Sequence, residues 1–425
     1  MFKNLLQAFS IPALRAKILF VLFAFFIFRI MAGIPIPGVD AGRMAEFAAE
    51  HEALGILNLL TGGALGTVSI VMLGLGPFIT AVILLQLLTI VFPKLRAMNT
   101  EEGEAGKQKF NQIGRILTVP FAIAQSFGML MLFQGQGIIE MTSFIFLTSI
   151  ITITAGTILL MWIGELITEK GIGNGISLLI FAGIIAMVPM QIFGVMGYFE
   201  RGDIGIPHLL VILVLFLLIT TLVILINEGR RNIPVSYAKR VKGTKMYGGV
   251  STYLPLNINP AGVIPIIFAM SLMMFPGLLA GFLVDQPGVI GVIALFISTL
   301  FADIWFQILF LFFLITFFTY FYTMVTFDTK ALSENLQKMG GFIPGIRPGL
   351  NTEKYLNNIL NRVLLVAGFF LSFLVVFPMI VADITGIVGF NFLLGGTGLL
   401  IIVSVLLETN RQINSQLQVR EYDKY

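Results

Sequence analysis

Long apolar stretches alternate with short polar gaps along this chain, and the rhythm sets its architecture. Ten apolar stretches occupy residues 18–37, 68–92, 113–134, 143–167, 175–198, 206–227, 259–284, 304–327, 357–382 and 390–408. Each reaches the roughly 20 residues that cross a hydrocarbon core about 30 Å thick at ~1.5 Å of helix rise per residue. Basic residues crowd into alternate gaps. With the N-terminus in the cytoplasm, only Arg29, Arg43 and Arg201 of the 26 Lys and Arg fall on the outer side. Basic loops resist translocation, so the bias orients the spans. The pattern predicts an all-α polytopic membrane protein with ten transmembrane helices and both termini cytoplasmic.

Some stretches break the rhythm. Phe2, Leu5, Leu6 and Phe9 fall at i, i+3, i+4 and i+7 with Lys3 on another face, which reads either as a short interfacial helix or as a frayed terminus. The first apolar stretch ends in Ile34-Pro35-Ile36-Pro37-Gly38 rather than in a small-residue cleavage site, so no cleavable signal is expected. Residues 58–67 (NLLTGGALGT) are too short to cross and more apolar than an exposed loop. Gly62, Gly63 and Gly66, at roughly 1 kcal/mol each relative to Ala, make a helix there marginal. Irregular backbone is excluded from lipid, so the segment is either a movable re-entrant piece lining a cavity or an outer loop.

Composition agrees. With 57% hydrophobic and 11% charged residues, no water-soluble surface can be built. The net charge of +4 follows from the loop bias rather than from nucleic-acid binding, although a ribosome, being mostly RNA, remains a partner open to the loops. The 44 glycines allow close helix approach and make helices easy to break. No cysteine is present, so disulfides and thiolate metal sites are excluded; His51 and His208 alone make a histidine metal centre improbable.

Three inward loops are substantial. Residues 93–112 carry Glu101, Glu102, Glu104, Lys107 and Lys109. Residues 228–258 mix Arg230, Arg231, Lys239, Arg240, Lys242 and Lys245 with Tyr237, Tyr247 and Tyr253. Residues 328–356 contain a Gly- and Pro-punctuated run, 340–349, whose tight turns present Arg347 at a tip. Basic residues among tyrosines on two loops favour a docking surface over a merely solvated face.

Catalytic chemistry is missing. Gly103 through Gln108 has the wrong glycine spacing for a phosphate loop and no Ser or Thr after Lys107. In Gly171 through Ile176, Ile176 stands where a dinucleotide fingerprint needs its third glycine. An ion-coupled carrier needs ionisable groups near the midplane, whereas Arg29, Glu165, Asp303 and Asp383 lie toward span ends. A carrier with broken helices stays open as an alternative, and a non-transporting scaffold behind it.

An ordered set of motifs resembles one family across nearly the whole chain: SecY, the channel subunit of the bacterial Sec protein translocase. The set comprises Ile34 through Gly38, Thr61-Gly62-Gly63-Ala64-Leu65, Gln86 through Thr89, Glu101 through Gly106 and Trp162 through Ser177. It continues with Tyr237-Ala238-Lys239-Arg240, Ala261 through Pro265, Phe342 through Gly349 and Gly395-Gly396-Thr397. The resemblance implies a clamshell of two pseudo-symmetric five-helix halves, 1–198 and 199–425, hinged near 198–206.

It further implies a function: passing unfolded polypeptides across the cytoplasmic membrane and releasing transmembrane segments sideways into the lipid bilayer. Residues 58–67, including Thr61, Gly62, Gly63, Ala64, Leu65 and Gly66, would be the plug, a half-helix blocking the outer funnel. Leu75, Ile79, Ile176, Ile180, Ile267 and Ile401 would form an aliphatic pore ring, with leucine at 75 where isoleucine is often found. Thr80 and Gln86 opposite Asn259 and Ser271 would line a lateral gate between the second and seventh spans, their amides pairing across the seam until a signal peptide intercalates. Pro260 departs from the family there. Arg347, then Arg231, Lys239, Arg240 and Lys245, would dock the SecA motor ATPase or a translating ribosome. Asn232 and Thr244 replace arginines found in some relatives. SecE-like and SecG-like small subunits would complete the complex, and no cofactor is implied.

Overall fold

The computed structural model describes residues 9–40, 42–44, 47, 58, 61–100, 102–140, 142–202, 204–237, 240–242, 245–247, 251–284, 286–385 and 396–422. Its helices are α1 (Pro12–Ala32), α2 (Gly76–Val91), α3 (Pro93–Thr100), α4 (Gly103–Gly135), α5 (Ser143–Lys170), α6 (Gly175–Glu200) and α7 (Ile206–Glu228). After the second large loop come α8 (Ile264–Leu283), α9 (Val289–Ala302), α10 (Ile304–Thr326), α11 (Thr329–Lys338), α12 (Leu350–Thr385) and α13 (Gly396–Tyr422). Proline opens α1, α2, α7 and α8, where its missing N–H is no loss. Asn174 and Asp303 cap α6 and α10 by accepting from backbone N–H groups.

Among the described residues, six helices are each long and apolar enough to cross a membrane, and α2 with α3 forms a seventh candidate bent by 116°. The spans α1, α8 and α13 complete ten. Charge explains why α1 looks weaker: it carries Arg15, Lys17 and Arg29. In α13 the apolar run gives way after Leu407 to a polar tail.

The second span starts later than its hydropathy predicts. Residues 61–75 run as consecutive turns, and the helix begins only at Gly76. Positive φ at Gly62, Gly63, Val68 and Gly74 takes the backbone out of the helical region. The expected half-helix is therefore absent over 61–67; Leu59 and Leu60 of the same segment lie outside the described residues. The seventh span likewise opens at Ile264 rather than 259, because Pro260 and Gly262 (φ +65°) hold a turn ahead of it. Of the proposed N-terminal interfacial helix, Phe2, Lys3, Leu5 and Leu6 lie outside the described residues.

The two large loops, 228–258 and 328–356, contain strands. Strands β1 (Arg230–Tyr237), β4 (Ser251–Asn257) and β5 (Gly341–Phe342) form one antiparallel sheet in the order β4-β1-β5, while β2 (Arg240–Lys242) pairs with β3 (Lys245–Tyr247). The membrane body is all-α as expected, and the two loops add a small sheet to it. Ile233, Val235 and Leu256 of the sheet pack on Leu336 of α11, Ile343, and Leu356 and Ile359 of α12, giving the loops a core of their own. Strand pairing between the loops buries these alternating apolar residues, which no isolated loop could hide.

The apolar helix α9 lies between the seventh and eighth apolar stretches. Its 14 residues cover about 21 Å, short of the ~30 Å core. The end of α8 and the start of α10 lie on one side of the membrane, so α9 stays on that side. Phe301 sits edge-on to Phe306 and Phe310 at 5.3 and 5.4 Å, and Gln307 Nε2 donates to the Phe301 carbonyl at 2.6 Å, tying α9 to α10. Its other face is exposed at Val289, Val292 and Phe296.

Candidate functional site

The candidate site comprises three layers. The first is a cavity of about 740 Å³ walled by α2, α4, α5, α6, α8 and α10. It draws on the end of α2 (Gln86), the start of α4 (Asn111, Arg115), the end of α5 (Glu165, Thr168, Glu169) and the start of α6 (Asn174, Ser177). Alternating helix direction places all of these on the side of the β-sheet. Arg115 Nε donates to Glu165 Oε1 at 2.6 Å across the wall, so Glu165 is a packing partner rather than a lone charge.

The second layer is aliphatic. Ile79, Ile176 and Ile267 line the cavity's apolar end. Together with Leu75, Ile180 and Ile401 they belong to one hydrophobic cluster reaching from α1 to α13. Exposure is 6% at Leu75, 7% at Ile79, 5% at Ile180, 6% at Ile267 and nil at Ile401, so these five are buried, while Ile176 is half-buried. Ile79 N donates to the Leu75 carbonyl at 3.0 Å, which keeps this i, i+4 pair on one face although Leu75 itself precedes the helix.

Local sequence places Ile176 and Ile180. A Cβ on Gly175 would meet the Gly164 carbonyl oxygen, so α5 and α6 cross at near backbone contact that only glycine permits. Thr168 Oγ1 accepts from Gly175 N at 2.9 Å, and Asn174 Oδ1 accepts from Ile176 N and Ser177 N at 3.1 and 3.2 Å. These bonds fix where α6 begins, hence where its two isoleucines point.

The third layer is the turn-rich segment beyond the ring. Ala64 joins the central cluster at 0% exposure, while Leu65, Val68 and Met72 enter a second cluster with Ile36, Phe133 and Ile153. Gly62 rests on α6: a Cβ there would lie 2.7 Å from Gly183 Cα, one helical turn past Ile180. A Cβ on Gly63 would lie 2.9 Å from Met187 Sδ. Asn58 closes the turns, its carbonyl accepting from Gly63 N at 2.8 Å and its Oδ1 from Gly66 N at 2.7 Å. Thr61 Oγ1 accepts from Leu65 N at 3.3 Å. Sequence reasoning missed one contact: Arg29 Nη1 of α1 donates to the Gly62 carbonyl at 2.6 Å.

The proposed lateral-gate residues do not behave as one set. Helices α2 and α8 do pack together. Thr80 Oγ1, however, donates to the Gly76 carbonyl at 2.9 Å and accepts from Gln125 Nε2 of α4 at 3.5 Å. Asn259 Nδ2 donates to Asn227 Oδ1 of α7 at 3.0 Å and to the Gly262 carbonyl. Asn227 in turn donates to Ser404 Oγ of α13 at 2.8 Å, and its carbonyl accepts from Arg411 Nη2 at 2.6 Å. The expected amide pairing across the seam is corrected accordingly: Asn259 joins a polar network inside the second half because α8 starts later than expected. Gln86 lines the cavity, its buried Oε1 without a protein partner, and Ser271 is half-buried on α8.

Arg347 is exposed in the turn that follows β5, and its carbonyl accepts from Thr352 Oγ1 at 3.1 Å. Arg231 is exposed at one end of β1. Arg240 and Lys245 lie on the paired β2 and β3, and Lys239 lies outside the described residues.

A cavity, an aliphatic cluster at its apolar end and a turn-rich segment packed beside that cluster make up the candidate site. The SecY family model matches residues 69–410. The protein translocase subunit SecY of Streptomyces coelicolor is 41% identical over 440 aligned residues, covering 99% of this chain and 98% of that one. The chain belongs to the SecY family. The fold agrees: a solved protein-conducting channel superposes with a TM-score of 0.64 at 18% identity, covering 93% of this chain and 91% of the other. Sec61 in a canine ribosome-channel complex from the endoplasmic reticulum superposes at 0.59 and 18%, with the same coverage. SecY membership makes this multi-pass membrane protein a channel subunit of a protein translocase rather than a solute carrier.

Proposed function

We propose that the three layers are the working parts of the polypeptide channel. The cavity is the cytoplasmic vestibule, the six aliphatic residues are its ring, and residues 58–67 are its plug. One observation carries this reading: Gly62 seats on Gly183, one turn beyond Ile180, so the segment closes the path on the far side of the ring. Aliphatic side chains suit a ring because they offer passing ions no hydrogen bonds and gate by dewetting. They also yield around varied side chains without binding any tightly.

The chain would sit in the cytoplasmic membrane with both termini inside. A signal peptide entering between α2 and α8 would shift a closed–open equilibrium. A SecE-like subunit would clamp the halves 1–198 and 199–425 with a SecG-like subunit peripheral, and a SecA-type motor or a translating ribosome on the β-sheet loops would supply the energy. The channel itself would catalyse no covalent reaction.

Ion conductance of the purified complex in planar bilayers tests the plug. A tight parent and a flickering, leaky deletion of residues 58–67 are expected. Equal, negligible conductance would withdraw the plug assignment.

A further inference from the structure

Arg29 is an expensive residue to keep. It lies in the last turn of α1, toward the end of a membrane span, where an unpaired guanidinium is costly. Among the described residues the ion pairs are Arg43–Asp40 and Arg115–Glu165, so Arg29 has no carboxylate in the set. Its described hydrogen bond instead ends on a backbone carbonyl, that of Gly62, at 2.6 Å. Gly62 and its neighbour Gly63 also press on α6, at Gly183 and Met187, while the ring of Phe28 lies 3.3 Å from where a Gly62 Cβ would be and Arg29 Nη1 lies 3.9 Å from where a Gly63 Cβ would be. The positive φ of +68° and +87° at Gly62 and Gly63 turns this backbone into a conformation that side-chain-bearing residues resist.

Resting on the plug reading, we propose that Arg29 is the latch of the closed channel, a positioning residue that holds the plug through the Gly62 carbonyl. A hydrogen bond from a charged donor is stronger than a neutral one, yet a single bond can be surrendered when the halves part. The latch acts on main chain, so it places no demand on plug side chains. Helices α1 and α6 then both contribute to the plug seat.

Two simpler roles compete: a charge favouring the C-terminal end of α1, or an anchor to lipid phosphate. Neither acts through the plug, and a double-variant comparison separates them. In planar bilayers Arg29→Gln should raise the open fraction about tenfold in the full-length channel and change nothing once residues 58–67 are deleted. A second readout uses the absence of cysteine. Ala64→Cys, buried at 0% exposure, should react slowly with a membrane-impermeant thiol reagent and at least several-fold faster with Arg29→Gln added. Should Arg29→Gln not assemble, Arg29→Lys is expected to give a smaller increase in both readouts, again only with the plug present. Leak that persists equally in the deletion background, or a tight Arg29 variant beside a leaky deletion, overturns the latch and leaves the plug intact. A tight deletion channel removes the plug reading and the latch with it.

Discussion

Ile401 has no exposed surface and Ile180 only 5%, so each buries a full aliphatic side chain. Burying such a side chain is worth about 1.5–3 kcal/mol, and an unsatisfied amide in its place costs about 1–3 kcal/mol. Asparagine at either position therefore penalises the closed state. Ile180→Asn and Ile401→Asn should each export a substrate with a defective signal sequence that the parent rejects, measured by pulse-labelling in a complementation strain; unchanged rejection counts against the ring. Gly62→Ala should unseat the plug from its α6 side, because the new Cβ meets Gly183 Cα at 2.7 Å in a backbone already at φ +68°. The expected cost is ~1–3 kcal/mol against the closed state, read as leak conductance. Hydropathy alone does not single out the proposed ring, since six aliphatic residues in apolar helices are indistinguishable from packing residues; the proposal rests on the family motifs. Arg29 was visible as an out-of-place charge, but its partner is a main-chain atom, and no side-chain pattern encodes that.

Ten spans were legible because hydropathy reports burial over ~20 residues. Their starts were less so, because hydropathy is blind to backbone conformation. Residues 68–75 are as apolar as the helix they precede, yet they run as turns. Helix α9 fell below the length of a span and was passed over as loop. The sheet was foreshadowed by Ile233 and Val235 alternating with polar residues in β1, a period-2 signal outweighed by the surrounding charge. Two tests belong here. A cysteine at Ile293 carrying an environment-sensitive fluorophore should be quenched by lipid-borne quenchers in the leaflet near the α8–α9 turn, as expected of an exposed apolar face. Quenching by aqueous iodide alone would mean that α9 stands in water. Asn227→Ala should remove the bonds linking α7, α13 and the approach to α8, and lower the thermal midpoint of the complex in detergent. About 1–2 kcal/mol is at stake, since Ser404 and Asn259 lose a partner.

At the scale of the whole molecule, the proposed docking residue Arg347 is exposed in the turn after β5, outside the membrane body. Arg347→Glu should impair motor-driven export several-fold without changing the yield of folded complex, because the side chain is exposed and its turn is held by backbone. Normal export by this variant removes Arg347 from the docking surface. The sheet joins strands from both large loops, with Ser236 opposite Phe342, and β4 ends at Asn257, only seven residues before α8 begins. Whatever grips this platform thus holds the foot of α8, one wall of the proposed lateral gate. Thermodynamic linkage then makes the traffic two-way. If a docked motor or ribosome raises the affinity of the seam for a signal peptide tenfold, an engaged signal peptide must tighten docking by the same factor, about 1.4 kcal/mol. A channel wired in this way reports its cargo to its driver, and an idle one lets go.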